Sequence, residues 1–127
     1  MIVVDASAAL AGLLADGPAR RALGTDQLHA PHLIDSEVAS GLRRRVLAGA
    51  ISPRDGWAAL DTWRRLGATR YGVRPLLERI WQLRENVSAY DAGYVALAEA
   101  LDCPLVTADA RLSRASGLRC PVTVLPR

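Results

Sequence analysis

The order of apolar segments constrains the fold of this chain more than any other feature of its sequence. Apolar runs of three to five residues alternate with longer stretches in which apolar residues recur every three or four positions. The short runs are typical of strands, and the longer stretches are typical of amphipathic helices. Strands that alternate with helices favour a parallel sheet, because each parallel connection needs a crossover. We therefore expect an α/β fold, a three-layer α/β/α sandwich with a central parallel sheet.

Capping residues and prolines set the expected bounds of these elements. The predicted strands cover residues 1–4, 28–30, 69–73, 104–107 and 121–125. The predicted helices cover residues 8–14, 18–24, 31–47, 53–67, 75–83, 89–101 and 109–115. We expect Ser7 to cap the first of them, and Ser52 and Ser88 to open capping boxes with an acid three residues later. The length of 127 residues fits a single domain over 1–127.

Sixteen arginines and no lysine narrow the chemistry that the chain can perform. A P-loop, a Schiff base or a Ser/Lys dyad needs a lysine ammonium, so these mechanisms are excluded. The net charge of +3 is compatible with a nucleic-acid partner. A GC-rich genome would give the same composition, so charge alone does not decide the partner.

Cysteine spacing and the apolar N-terminus bear on the compartment. Cys103 and Cys120 match neither a zinc spacing nor a redox spacing, and we expect free, buried or half-buried thiols. They could pair under oxidising conditions if the last two strands are neighbours.

The N-terminal segment has no basic region and contains Asp5, unlike a signal peptide. With no stretch long enough to cross a membrane, we expect a cytoplasmic protein without membrane contact.

Four acids occupy places where parallel α/β folds form sites. Ligands bind beyond the carboxyl ends of the strands, and Asp5 follows the first predicted strand while Asp109 follows the fourth. Asp91 shares a helix stripe with apolar residues, and Glu37 stands next to Val38 on the buried edge of its helix. Taken singly, each acid could be a helix cap or a solvated charge. Taken together, four acids on four elements indicate one site.

Such a cluster predicts a divalent cation. Clustered carboxylates raise one another's pKa, and burying them unpaired costs several kcal/mol. Without a lysine to neutralise the cluster, Mg²⁺ is the simplest partner, and Mn²⁺ could substitute for it. Such an ion polarises a phosphoryl oxygen and lowers the pKa of a bound water, and a second carboxylate can act as general base.

The remaining charges suit a polyanionic substrate. Outside the four acids, nine acids stand against sixteen arginines, a balance that favours an RNA or DNA backbone. The triplet Arg43, Arg44 and Arg45 supplies candidate phosphate contacts. The alternative for each of these arginines is a solvated helix face.

The sequence motifs around the acids point to a family. These motifs are IVVDASA at residues 2–8, Glu37-Val38, YDAGYVALA at residues 90–98 and LVTADARL at residues 105–112. Together, and over nearly the whole chain, they resemble a PIN domain, most closely the VapC-type toxins of toxin–antitoxin pairs. The resemblance implies a PIN fold and a Mg²⁺- or Mn²⁺-dependent endoribonuclease that cleaves RNA.

The resemblance also implies roles for individual residues and partners. Asp5, Glu37, Asp91 and Asp109 match the catalytic acids of the family, and we expect Asp5, Asp91 and Asp109 to hold the ion. Ser7 and Thr107 match positions that orient a carboxylate or a water. Similar proteins form homodimers and are inhibited by a cognate VapB-type antitoxin whose segment fills the groove.

Two other classes of function fit parts of the sequence. Phosphoaspartate receivers and haloacid-dehalogenase-like enzymes also place an aspartate after the first strand and bind Mg²⁺, but both need a lysine that this chain lacks. A non-catalytic PIN-like module that binds RNA or a protein is the second alternative. Metal-dependent cleavage of RNA separates these classes.

Overall fold

A central sheet of five parallel strands organises the protein. The computed structural model describes residues 1–126. The strands are β1 Ile2–Val4, β2 Leu28–Pro31, β3 Thr69–Tyr71, β4 Leu105–Thr107 and β5 Val122–Val124. Their order in the sheet is β3-β2-β1-β4-β5, and every neighbouring pair is parallel. The prediction of an α/β fold with a parallel sheet is confirmed.

Helices flank this sheet and complete the three-layer sandwich. They are α1 Ala6–Leu14, α2 Pro18–Thr25, α3 Ile34–Leu47, α4 Pro53–Arg65, α5 Leu77–Gln82, α6 Ala89–Leu101 and α7 Ala110–Ser113. A 3₁₀ turn, Arg74–Leu76, leads into α5. Helix α6 packs on β1, β2 and β4 and also contacts α5, whereas α1 contacts α2, α3 and α4. No helix among residues 1–126 is long and apolar enough to cross a membrane.

The middle of the sheet forms the core. Strands β1 and β4 are buried along their whole length, because helices cover both faces of the sheet. Val95 and Ala98 of α6 and Ile34 and Val38 of α3 are fully buried against this core. The two strands that precede Asp5 and Asp109 are therefore held by the best-packed part of the molecule.

Two predicted helix starts are wrong. Helix α3 begins at Ile34, not at residue 31, because Pro31 belongs to β2 and pairs with Tyr71 of β3. The next residue, His32, continues this pairing with a backbone hydrogen bond to the Tyr71 carbonyl. Helix α1 begins at Ala6 and is capped by Asp5, not by Ser7.

Smaller differences occur near the ends of other elements. Strand β3 ends at Tyr71, and the segment predicted as one helix over 75–83 divides into the 3₁₀ turn and α5. Helices α4 and α7 are shorter than predicted, whereas α6 has the predicted bounds and Ser88 caps it. The cysteines are free, with Cys103 buried and Cys120 half-buried, although β4 and β5 are neighbours.

Candidate active site

A groove of about 930 Å³ opens at the carboxyl ends of β1 and β4. The four predicted acids all line it: Asp5 after β1, Glu37 on α3, Asp91 on α6 and Asp109 after β4. Each acid comes from a different element, so the groove exists only when these four elements are assembled.

Asp5 is the most buried of the four acids and the most firmly held. Its Oδ1 accepts hydrogen bonds from the Ala8 backbone N–H at 2.9 Å and from the Ser7 hydroxyl at 2.7 Å. Its Oδ2 accepts a hydrogen bond from the Thr107 hydroxyl. Burial raises the pKa of Asp5, although these hydrogen bonds, which favour the charged form, oppose the rise. The nearby charge of Asp91 adds to the rise.

The hydroxyls of Ser7 and Thr107 join the ends of β1 and β4. Their oxygens lie 3.1 Å apart. The Ser7 oxygen accepts a hydrogen bond from the Ala108 backbone N–H at 2.9 Å, and the Thr107 oxygen accepts one from the Asp109 backbone N–H at 3.0 Å. The two hydroxyls therefore fix Asp5 relative to the segment that carries Asp109.

Glu37 is half-buried and is held from the opposite wall of the groove. The Tyr94 hydroxyl of α6 donates a hydrogen bond to Glu37 Oε1 at 2.8 Å. Burial raises the pKa of Glu37, and the charges of Asp91 and Asp5 raise it further, while the Tyr94 hydrogen bond lowers it. Burial and the same hydrogen bond raise the pKa of the Tyr94 hydroxyl.

Asp91 lies in the first turn of α6, three residues after Ser88, which caps this helix as the sequence predicted. Its backbone N–H donates to the Ser88 hydroxyl oxygen at 3.1 Å. Burial raises the pKa of Asp91, the charge of Asp109 raises it further, and Ser88 and Arg111 lower it. Asp91 and Asp109 line the same groove.

Asp109 caps the short helix α7 and forms an ion pair with Arg111. The Arg111 backbone N–H donates to Asp109 Oδ1 at 3.0 Å. The Arg111 guanidinium donates from Nε to Oδ1 at 3.1 Å and from Nη2 to Oδ2 at 2.8 Å. An arginine thus engages both oxygens of one of the four acids.

The donor set suits a hard divalent cation, but its members are not gathered around one point. Within residues 1–126, no three acids, histidines or cysteines are close enough to form a metal-binding group as they stand. The four acids nevertheless supply only carboxylate oxygens, the ligands that Mg²⁺ and Mn²⁺ prefer. Three of the four, Asp5, Glu37 and Asp91, have raised pKa values, so a cation would relieve an electrostatic cost.

The predicted arginine triplet divides between the groove and the outer surface. Arg44 and Arg45 line the groove, and Arg45 donates to the Gly41 carbonyl at 2.9 Å. Arg43 is exposed and is not among the residues that line the groove. The structure thus brings two of the three candidate phosphate contacts to the acids.

A cluster of side chains that do not line the groove supports α3. Asp35 Oδ1 accepts hydrogen bonds from the buried indole of Trp63 at 2.8 Å and from Arg70 Nη2 at 2.9 Å. Asp35 Oδ2 accepts from Arg70 Nε at 2.7 Å. These bonds tie the first turn of α3, which also carries Glu37, to α4 and β3.

Sequence reasoning missed Tyr94 and Arg111 as partners of the acids. Tyr94 stands three residues after Asp91, a helical spacing that places both residues on one face of α6. Arg111 stands two residues after Asp109, inside the LVTADARL motif. Neither spacing reveals that the side chains contact Glu37 and Asp109.

Comparisons with known proteins agree with this architecture. The PIN domain family model matches residues 2–118. The chain is 62% identical over 127 residues to the VapC ribonuclease Mb0985 of Mycobacterium bovis, with 100% of both chains covered. It is 49% identical to the ribonuclease VapC1 of Mycobacterium tuberculosis, with 97% of this chain and 96% of VapC1 covered.

A solved structure gives the same fold. The crystal structure of VapC20 of Mycobacterium tuberculosis, a sarcin–ricin loop cleaving toxin, superposes with a TM-score of 0.68. The superposition covers 93% of this chain and 96% of VapC20. At 21% sequence identity, it shows similarity of the fold alone. The family match and the full-length identity to VapC ribonucleases lead to one conclusion: the chain belongs to the PIN domain family and, within it, to the VapC-type toxins.

Proposed function

We propose that this protein is a Mg²⁺-dependent endoribonuclease toxin in which Mn²⁺ can replace Mg²⁺. The observation that carries the proposal is that Asp5, Glu37, Asp91 and Asp109, from four elements, all line one groove. Relatives that are named ribonucleases and match this chain over its full length support RNA as the substrate.

Asp5, Asp91 and Asp109 are the residues that would hold the ion. When bound, the ion polarises a phosphoryl oxygen and lowers the pKa of a water, so that the water can attack phosphorus. Asp5 enters this role already oriented, because Ser7, Thr107 and a backbone N–H fix both of its oxygens. Such preorganisation avoids the cost of ordering the carboxylate during the reaction.

In this proposal Glu37 accepts the proton of the attacking water. Burial and neighbouring charges raise its pKa toward the operating pH, as general-base catalysis requires. The Tyr94 hydroxyl holds one of its oxygens. Arg44 and Arg45 line the same groove and are available to contact substrate phosphates.

We also propose a homodimer and a VapB-type antitoxin that inhibits the protein by filling the groove. The groove suits a peptide segment because its walls combine the acids with apolar side chains of Leu10, Leu14 and Leu33. A basic residue on such a segment would neutralise the acids. The VapC names of the relatives support an antitoxin partner.

Cleavage of RNA by the purified protein, free of antitoxin, tests the proposal. We expect cutting in Mg²⁺ or Mn²⁺, none in EDTA, and a loss of at least about 100-fold on Asp5→Asn. Asp26→Asn is the matched control, because Asp26 is exposed at the end of α2 and does not line the groove. Equal cutting in EDTA, or by Asp5→Asn, would contradict the proposal. RNA binding without any cutting would favour the non-catalytic RNA- or protein-binding module.

A further inference from the structure

The pairing of Arg111 with Asp109 has an arrangement that a metal ion would disturb. Three donors of one residue, the backbone N–H, Nε and Nη2, occupy both oxygens of Asp109. The guanidinium therefore holds the carboxylate that we propose as a metal ligand.

Arg111 is well placed to leave Asp109. Its side chain is 84% exposed, against 27% for Asp109, so solvent screens the ion pair. The backbone hydrogen bond from Arg111 to Asp109 Oδ1 is independent of the guanidinium and can keep α7 capped. A divalent cation carries twice the charge of the guanidinium and would be stabilised by Asp91 as well, which lines the same groove as Asp109.

Arg111 also lies where a substrate would pass. It lines the groove together with Arg44 and Arg45, which come from α3 on another wall. A planar guanidinium binds phosphate and carboxylate oxygens with the same two-pronged geometry. The side chain can therefore exchange a carboxylate for a phosphate without a change in the type of bond.

We propose that Arg111 changes partner when the metal binds: it pairs with Asp109 in the metal-free protein and is released to hold an RNA phosphate once the ion engages Asp109. The inference rests on the proposed function. It makes metal binding and RNA binding mutually reinforcing through one side chain, because linkage between two sites is reciprocal.

Metal binding in the absence of RNA tests whether Arg111 competes with the ion for Asp109. Calorimetric titration with Mn²⁺ compares the wild type, Arg111→Ala and Arg44→Ala, where Arg44 lines the same groove and bonds to Ser40 rather than to an acid. We expect Arg111→Ala to bind Mn²⁺ about three- to tenfold more tightly than the wild type. Arg44→Ala should change the affinity by less than about twofold.

RNA binding with and without metal tests whether Arg111 contacts an RNA phosphate only when the metal is bound. Fluorescence anisotropy of a labelled RNA oligonucleotide is measured in a Glu37→Gln background, which blocks the proposed hydrolysis while leaving Asp109 and Arg111 intact. With saturating Mn²⁺, Arg111→Ala should weaken RNA binding about three- to tenfold and lower the salt slope by roughly 0.7. In EDTA the same substitution should have little effect, because the guanidinium is then engaged by Asp109.

The outcomes separate this inference from the proposed function. If the wild type binds no Mn²⁺, the proposed metal site itself is wrong. If the wild type binds Mn²⁺ but Arg111→Ala and Arg44→Ala affect its affinity equally, the exchange is refuted and the nuclease proposal stands. An Arg111→Ala effect on RNA binding that is the same in Mn²⁺ and EDTA refutes the exchange as well.

Discussion

Replacing Thr107 by valine tests whether the hydroxyl bridge between β1 and β4 holds Asp5 in place. Thr107 is fully buried, and its hydroxyl donates to Asp5 Oδ2 and accepts from the Asp109 backbone N–H. Valine has nearly the same shape, so the substitution removes hydrogen bonds without opening a large cavity. The effect on stability therefore reports the hydrogen bonds.

The expected loss follows from these two bonds. A hydrogen bond to a charged group contributes about 1.5–3 kcal/mol, and a buried N–H left without an acceptor costs about 1–3 kcal/mol. Some of this cost is recovered by rearrangement in the groove. We expect Thr107→Val to lower the free energy of unfolding of the metal-free protein by about 2–4 kcal/mol at pH 7.

The loss should depend on pH in a defined direction. Burial raises the pKa of Asp5 in the folded chain, so the folded state binds the proton more tightly than the unfolded state. The contribution of Asp5 to stability is therefore most favourable at low pH and declines as the pH rises through the raised pKa. Thr107→Val removes a bond that favours the charged carboxylate and raises this pKa further. The difference between variant and wild type should consequently widen as the pH increases.

Urea unfolding in EDTA at pH 4 and pH 7 measures both effects. Thr123→Val is the matched control, because Thr123 lies in the neighbouring strand β5 and is exposed. The same substitutions are repeated in an Asp5→Asn background to give a double-mutant cycle. The reasoning is refuted if Thr107→Val costs no more than Thr123→Val, or costs the same in the Asp5→Asn background.

Three further results are expected. Tyr94→Phe removes a hydrogen bond that lowers the pKa of Glu37, so the acid limb of the pH–rate profile should shift to higher pH. The control variant Tyr90→Phe should not show this shift. Asp35→Ala breaks the bonds to Trp63 and Arg70 and should cost about 1–2 kcal/mol at pH 7. This loss of stability should become smaller as the pH falls through the lowered pKa of the Asp35 carboxyl. Urea unfolding monitored by tryptophan fluorescence measures it. Millimolar Mg²⁺ or Mn²⁺ should raise the melting temperature at pH 8 more than at pH 5, because carboxylates with raised pKa values bind metal only when deprotonated; equal shifts would argue against these ligands.

Local patterns were sufficient to predict the α/β architecture; the four acids line one groove, but among residues 1–126 they are not gathered into one ligand set. Continuous apolar runs before Asp5 and Asp109 indicated buried parallel strands, and β1 and β4 are indeed adjacent and fully buried. The Ser88 helix cap was predictable because both of its partners lie within one turn of helix. Features set by contacts between neighbours in sequence were thus accessible.

Features that depend on contacts between residues far apart in the chain could not be predicted from the sequence. Ser7 has the residue type and position of a helix cap, yet its hydroxyl contacts Thr107 and Ala108, a hundred residues away in the chain. Pro31 has the residue type of a helix start, yet pairing with Tyr71 places it in a strand. In both cases a tertiary contact determines which of two structural roles the residue has, and the neighbouring sequence does not identify the partner in that contact.

The bond between Thr107 and Asp5 spans 102 positions of the chain, and this separation has a consequence during translation. At roughly 5–20 residues per second, a ribosome adds the second partner on the order of 5–20 seconds after the first. Until then the emerging polypeptide has an aspartate at position 5 without the Thr107 hydroxyl that holds its second oxygen and without β4 beside β1. The groove that all four acids line is therefore completed only after β4 and Asp109 have been added to the chain.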